Sequence, residues 1–292
     1  MSLKQLLDVP APAKLNLFLH IVGRRPDGYH LLQSVFTLID WCDTLHFELR
    51  TDGRISRTDL GPALPDDDLS VRAARALQAA AGVTAGVHIS IDKQVPWGAG
   101  LGGGSSDAAT TLLALNRLWG LHWPRERLLP LALGLGADVP FFVGGRNAWV
   151  EGIGEQITPL AVPTEQYVVV KPSVEIPTAK IFSSPLLRRD TERSTIAFFL
   201  ANTNSFNKND LQPCAVAHNQ QVWQAQQMLA GLFGESRMSG SGSAVFASAG
   251  SNPDTEKLQS KIRHLLATMP SGWQARLCRG LQQHPLLDWA SD

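Results

Sequence analysis

The sequence predicts an α+β protein of two domains, residues 1–162 and 163–292, and three observations carry that prediction. Alternating runs of strand type are interleaved with Ala/Leu-rich runs of helical period along the whole chain. The stretch "AVPTEQ" (161–166) breaks this pattern as a Pro-bearing linker, and "YVVVKP" then opens a fresh strand. Finally, "VPWGAGLGGGSSDAATTLLALNRLWG" (95–120) places five glycines in positions 98–104, directly ahead of a helical run.

Taken in order, residues 13–22, "AKLNLFLHIV", alternate as a strand. Ala13, Leu15, Leu17, Leu19 and Ile21 share one face, and Lys14, Asn16, Phe18 and His20 the other. "RRPDGYH" turns the chain through Pro-Asp-Gly, and strand-like runs follow at 34–40 and 44–50. "DDDLSVRAARALQAAAG" reads as a helix, with acids at its start and Gly82 just past its end. "GVHISIDKQV" is a strand that feeds the glycine loop. Ser105 or Ser106 is placed to cap the next helix, which runs to Trp119 with Asp107 in its first turn. A further helix starts at Pro124, "GADVPFFVGG" is a Gly-bounded helix start or tight turn, and "NAWVEGIGEQITPL" is a hairpin. Past the linker, helices are expected near 178–187, 192–201, 213–231 and 253–267. A strand pair is expected in "SRMSGSGSAVFASA", and a last strand in "WQARLCRG".

Composition narrows the function. With 44% hydrophobic and 18% charged residues the chain is globular, and 292 residues are enough for a substantial core. Lys+Arg and Asp+Glu balance at 26 each, so no overall basic field calls for nucleic acid, and a small-molecule substrate is expected. Cys42, Cys214 and Cys278 lie far apart, which is neither a disulfide framework nor a zinc pattern and fits a reducing compartment. No HExxH spacing occurs, and no signal-type or 18-residue apolar run is present. A soluble cytoplasmic protein without a membrane partner is the expectation. Nothing of coiled-coil type argues for a particular oligomeric state.

So much bare backbone ahead of a helix suits an anion, since N–H groups at a helix start are unpaired and carry the positive end of the dipole. "GAGLGG" (98–103) satisfies GxGxxG, but Pro96 and Trp97 interrupt the approach, and no second strand closing on an acid follows about 20 residues on. A P-loop is excluded because the chain contains no Gly-Lys dipeptide. The protein-kinase HRD and DFG signatures are absent too. What remains is a phosphate nest of backbone amides, with two serines able to donate to phosphate or to sit on magnesium. The bland alternative is a tight connection with Ser106 as a plain N-cap.

These residues carry a resemblance. "PWGAGLGGGSSDAA" resembles the second motif of the GHMP kinase superfamily, "PAKLNLFL" (12–19) its first, and "MSGSGSAVFA" (238–247) its third, in the family's order. "RRPDGYH", "GADVPFFVGG" and the "SSDAA" form of the loop are similar to one branch. Its members move the γ-phosphate of ATP to the 2-hydroxyl of a cytidine diphosphate-linked methylerythritol, in the non-mevalonate route to isoprenoid precursors. The resemblance implies a two-domain GHMP kinase fold, with an N-terminal mixed β/α ATP-binding domain and a C-terminal ferredoxin-like α+β domain. It implies ATP and Mg2+, with ATP held by Pro96, Gly98, Ala99, Gly100, Leu101, Gly102, Gly103, Gly104, Ser105 and Ser106. Asp138 is matched to the family's proton acceptor, although Asp two residues before Pro140 is also a good N-cap. Lys14 is matched to the lysine that pairs with it, where most strand lysines are simply solvated.

For the substrate, the resemblance implies Tyr29 and Phe182 flanking the cytosine ring, with Asn16 and His30 hydrogen-bonding to base or substrate. Gly240, Ser241 and Gly242, followed by Ser243, would close over the site from the second domain; on spacing alone they are a hairpin turn. Read without the resemblance, Phe182 is a helix core residue and His30 a loop histidine. Lys171, Lys180 and Arg146 are cations near enough in sequence to meet a diphosphate. Two competing readings remain. One is a related kinase acting on another alcohol, against which Tyr29, His30 and Phe182 discriminate. The other is a regulatory nucleotide binder on the same fold, which the presence of Lys14 and Asp138 disfavours.

Overall fold

The computed structural model describes residues 3–292. In chain order the elements are β1 (Gln5–Arg24), β2 (His30–Arg50), β3 (Ile55–Asp59), α1 (Leu69–Ala81), β4 (Gly86–Asp92), α2 (Gly103–Leu118), α3 (Arg125–Leu135) and α4 (Val139–Gly144). Then follow β5 (Ala148–Glu151), β6 (Gln156–Pro159), β7 (Gln166–Lys171), α5 (Thr178–Phe182), α6 (Ile196–Ala201), α7 (Gln212–His218), α8 (Gln220–Phe233), β8 (Ser236–Met238), β9 (Val245–Gly250), α9 (Thr255–Thr268) and β10 (Gln274–Leu281). No helix among the described residues is long and apolar enough to cross a membrane.

The long strand β2 organises the molecule. One of its edges carries β1, antiparallel, along nearly its whole length; the other receives β5, β10 and β4 in succession. β10 joins β2 only at Gly280–Ile39 and Leu281–Leu38, and from there the sheet continues through β7, β9 and β8. That thin seam divides two cores. One lies between the β1/β2/β4 side of the sheet and α1–α4; the other lies between β7–β9 and α7–α9. A smaller cluster at the junction joins Ala13, Leu15 and Ile39 to Tyr167, Val169 and Phe246.

Several expectations change. The runs at 34–40 and 44–50 are one strand, and β1 begins eight residues earlier than its alternation showed, because pairing with β2 extends both beyond their own period. Both faces of β1 around Lys14 are buried, and a bulge between Asn16 and Leu19 breaks the simple in/out alternation. The edge strand β3, parallel to β4, was not foreseen. The helix expected over 178–187 ends at Phe182. The one expected over 213–231 is two helices divided at Asn219, whose extended backbone and side chain cap the second. Asp68 and Gly82 cap α1 as its sequence indicated.

α2 is the element that aims the site. Its residues are buried nearly all round, from Ser106 to Leu118, between the sheet and α1, α3 and α4. The packing of this buried body fixes where its half-buried first turn, Gly103–Ser105, points.

Candidate active site

The glycine loop is anchored before it begins. One carboxylate oxygen of Asp43, in the middle of β2, accepts the amides of Gln94 at 2.6 Å and Val95 at 2.7 Å. Its other oxygen pairs with Lys93, whose ammonium also bonds Asp107 of α2 at 2.6 Å. This buried unit ties strand, loop and helix together. Burial pulls the Lys93 ammonium down, but Asp107 and Asp43 outweigh it and hold the group above the ordinary lysine value. Burial lifts Asp107 well above the carboxylate range, Lys93 opposing and Asp43 adding to the lift. Asp107 Oδ1 has no partner among the described residues.

The loop itself needs glycine where it meets its neighbours. A Cβ on Gly100 (φ +73°) would stand 2.1 Å from the Ser239 carbonyl, and one on Gly102 (φ +73°) 2.9 Å from the Phe142 ring and 3.1 Å from Lys14 Cγ. Gly102 is the N-cap of α2, with no side-chain cap, so Ser105 and Ser106 lie inside the first turn rather than capping it, and Asp107 follows that turn. The amides at this start are left for a ligand. A cavity of about 270 Å³ runs along Pro96–Ser105 with Leu69 and Lys93. A second, of about 580 Å³, opens beside it between Pro62–Pro65 and the exposed Trp97. The Ser106 hydroxyl, one residue past the lining of the first cavity, is fully buried and has no partner among the described residues.

Lys14 and Asp138 meet at 3.7 Å over this loop. Asp138 stands at the N-cap position of α4 but has helical backbone (φ −85°, ψ −16°) and makes no cap bond, so its carboxylate is left to the cleft and is one-third exposed. Lys14 is buried, its ammonium bonding Asn16 Oδ1 at 2.5 Å and lying 4.6 Å from the Phe36 ring centroid, while its amide donates to Leu101 O. Burial lowers the Lys14 ammonium below the ordinary lysine value, with Asp138 only partly restoring it. Asn16 is held from behind by Ser34.

The third glycine-rich stretch reaches the first. Ser239 Oγ donates to Gly100 O at 2.9 Å and accepts the Asn16 amide at 3.2 Å. Asn209 anchors the stretch through the carbonyls of Met238 and Gly240, and Ser241 bonds Thr178 at the start of α5. It is thus a turn between β8 and β9 that also touches both the loop and β1.

Where the start of β2 meets the end of α5, His30 and Phe182 lie with ring centroids 5.2 Å apart at 32°. Tyr29 stands next to them, 59% exposed and without a ring contact among the described residues. Of the candidate diphosphate cations, Lys171 is spent on the carbonyls of Pro172 and Val174, and Arg146 faces Asp292 near the C-terminus; Lys180 is exposed on α5. Sequence reasoning missed Asp43 and Lys93. The signal was there in a charged residue interrupting a strand run, "DWCDT", but nothing local says that its partner is 50 residues away.

The family described as GHMP kinases N terminal domain matches residues 68–146, which hold the loop and Asp138. The chain is 62% identical over 292 residues to the 4-diphosphocytidyl-2-C-methyl-D-erythritol kinase of Methylibium petroleiphilum, covering 99% of this chain and 100% of that one. It is 57% identical to the same-named protein of Paracidovorax citrulli over 99% of each. A crystal structure of 4-(cytidine 5'-diphospho)-2C-methyl-D-erythritol kinase superimposes with a TM-score of 0.76 at 33% identity, over 95% of this chain and 99% of that one. A homoserine kinase from Cytophaga hutchinsonii shares the fold alone, with a TM-score of 0.73 at 16% identity over 97% and 96% of the two chains. Fold likeness thus persists where identity has drained away, whereas identity from end to end singles out one branch, and the chain belongs to the 4-diphosphocytidyl-2-C-methyl-D-erythritol kinase family of GHMP kinases.

Proposed function

We propose that this kinase transfers the γ-phosphate of ATP to the 2-hydroxyl of 4-diphosphocytidyl-2-C-methyl-D-erythritol, in the cytoplasm, within the non-mevalonate route to isoprenoid precursors. The observation that carries the proposal is the Lys14–Asp138 pair standing over the glycine loop. The amides at Gly103–Ser105 and the loop from Pro96 to Gly102 hold the phosphates. Asp138 accepts the proton of the acceptor hydroxyl as its oxygen attacks phosphorus and ADP leaves. Lys14 pairs with Asp138 and faces the negative charge growing on the transferring group. Mg2+, when bound, would neutralise phosphate charge; Ser105 and the buried Ser106 hydroxyl, unpartnered among the described residues, would be the side chains nearest to hold it, in a site made mostly of phosphate and water.

Asn16, Tyr29, His30 and Phe182 select the cytidyl end, and Gly240–Gly242 close the cleft from the second domain. The two cores on either side of the β10–β2 seam support domains at 1–162 and 163–292, with Leu19 and Ile21 of β1 contributing to the second core and Leu286 and Ala290 to the first. The test is ADP release from Mg-ATP with the cytidyl substrate, homoserine and mevalonate offered separately. Turnover with the cytidyl substrate alone is expected; turnover with another alcohol instead overturns the substrate assignment.

A further inference from the structure

One side chain at the base end of the cleft makes more contacts than a surface arginine needs. Arg189, between α5 and α6, donates in four directions. Its Nε bonds His30 Nε2 at 3.0 Å, Nη1 bonds Leu187 O at 2.9 Å, and Nη2 bonds Phe182 O at 3.2 Å and Ser184 O at 3.0 Å. Three of these acceptors are carbonyls of the turn leaving α5, so the guanidinium holds together the segment that carries Phe182. The fourth belongs to the first residue of β2, on the opposite wall. The two rings thereby kept together are the His30–Phe182 pair.

The chemistry of the donor settles the state of the ring. A guanidinium only donates and keeps its proton at any physiological pH. Nε2 of His30 must therefore present its lone pair, and the one proton of a neutral imidazole sits on Nδ1. A second proton would set N–H against N–H. The charged groups facing the ring are Arg189 from the turn and Arg24 from the end of β1, and neither is an acid. Burial, then these two cations, hold the imidazole below the ordinary histidine value. Among the described residues Nδ1 makes no hydrogen bond, which leaves its N–H for a ligand.

We propose that Arg189 is a positioning residue for base recognition, holding His30 as the neutral Nδ1–H tautomer beside Phe182 so that the site offers a fixed donor to the acceptor edge of a pyrimidine. The cytosine edge suits such a donor, because its N3 and O2 are adjacent acceptors. This inference rests on the cytidyl reading above and adds a residue that its sequence motifs do not contain.

The experiment uses the full chain labelled with 15N-histidine, the His30 signals being identified by their loss in His30→Gln. Wild type is expected to show a protonated Nδ1 and an unprotonated Nε2 at neutral pH, titrating below 6.5. In Arg189→Ala the two tautomers mix and the titration moves upward. KM for the cytidyl substrate should rise about tenfold, while KM for ATP and kcat at saturation stay near wild type. Arg189→Lys keeps a charge and a donor for Nε2 but cannot serve three carbonyls as well, so the tautomer is retained and KM is intermediate. An Nε2–H tautomer in active wild type overturns this proposal alone, as does an unchanged substrate KM in both variants. Should Arg189→Ala not fold, the wild-type spectrum and Arg189→Lys decide between these outcomes. A wild type with Nδ1–H that ignores the cytidyl substrate sinks the substrate reading, and the base-recognition role with it.

Discussion

The two ends of the proposed site are built in opposite ways. The proposed phosphate end is backbone: a glycine loop whose amides start a helix buried nearly all round, locked by Asp43, Lys93 and Asp107. The proposed base end is side chain: Tyr29, His30 and Phe182 on turns and element ends, with His30 and Phe182 tied across by Arg189. A group common to every nucleoside triphosphate can be met by rigid main chain, because its oxygens look alike from all sides. A particular base has to be met by shaped, hydrogen-bonding side chains, and those must stand open enough to let it in.

The comparison breaks first where chemistry is concerned. Asp138→Asn should lower kcat about 10²–10⁴-fold, the usual worth of a positioned base, with KM for ATP and the melting temperature little changed. A loss of stability with turnover retained would make Asp138 a helix-start residue and nothing more.

Next is the anchor. Lys93→Met leaves Asp43 and Asp107 facing each other without their cation, and breaking a buried pair in this way costs about 3–5 kcal/mol. Thermal unfolding should move down steeply and KM for ATP should rise, with the cytidyl KM less affected. Unchanged stability would show that the two carboxyls share a proton well enough without the lysine.

At the base end the expected loss is smaller and confined to one substrate. Phe182→Ala removes a stacking surface worth about 1–3 kcal/mol, so KM for the cytidyl substrate should rise roughly 5–150-fold while KM for ATP stays put. Equal effects on both substrates would mean that the two ends are coupled rather than separate.

The smallest effect is on pH. The folded-state value of Lys14 lies below the usual 10.5, so between that value and 10.5 the unfolded chain binds more protons than the folded one. Stability from this group therefore rises with pH across that window, while kcat falls because Asp138 loses its cation. Activity and stability measured side by side on the alkaline limb should move in opposite directions; parallel decline would remove Lys14 from the catalytic pair.

Some of this was legible in the chain and some was not, for identifiable reasons. The glycine loop could be read because its pattern is local: five glycines and an Ala/Leu helix are contiguous in the chain. Asp68 and Gly82 could be read as caps for the same reason. The ambiguity of Asp138 could not be resolved locally, since the capping and catalytic roles ask for the same residue at the same place. Lys14, brought within 3.7 Å from 124 residues away, leaves the carboxylate facing a cation where a cap bond would otherwise be sought. Strand lengths were misjudged because alternation marks only half-buried strands, and β1 around Lys14 is buried on both faces.

The sequence by itself determined the class of the fold, the glycine loop ahead of α2, the family resemblance and the residues available for chemistry. All of these depend on neighbours in the chain, where spacing and residue type carry the information. The tertiary structure alone decided which charges meet. Asp43 reaches Lys93 across 50 residues, Lys14 reaches Asp138, and Arg189 reaches His30 across 159. Each of these pairings depends on long-range strand register and helix packing, and a buried charge takes its ionisation from the partner that the fold brings to it.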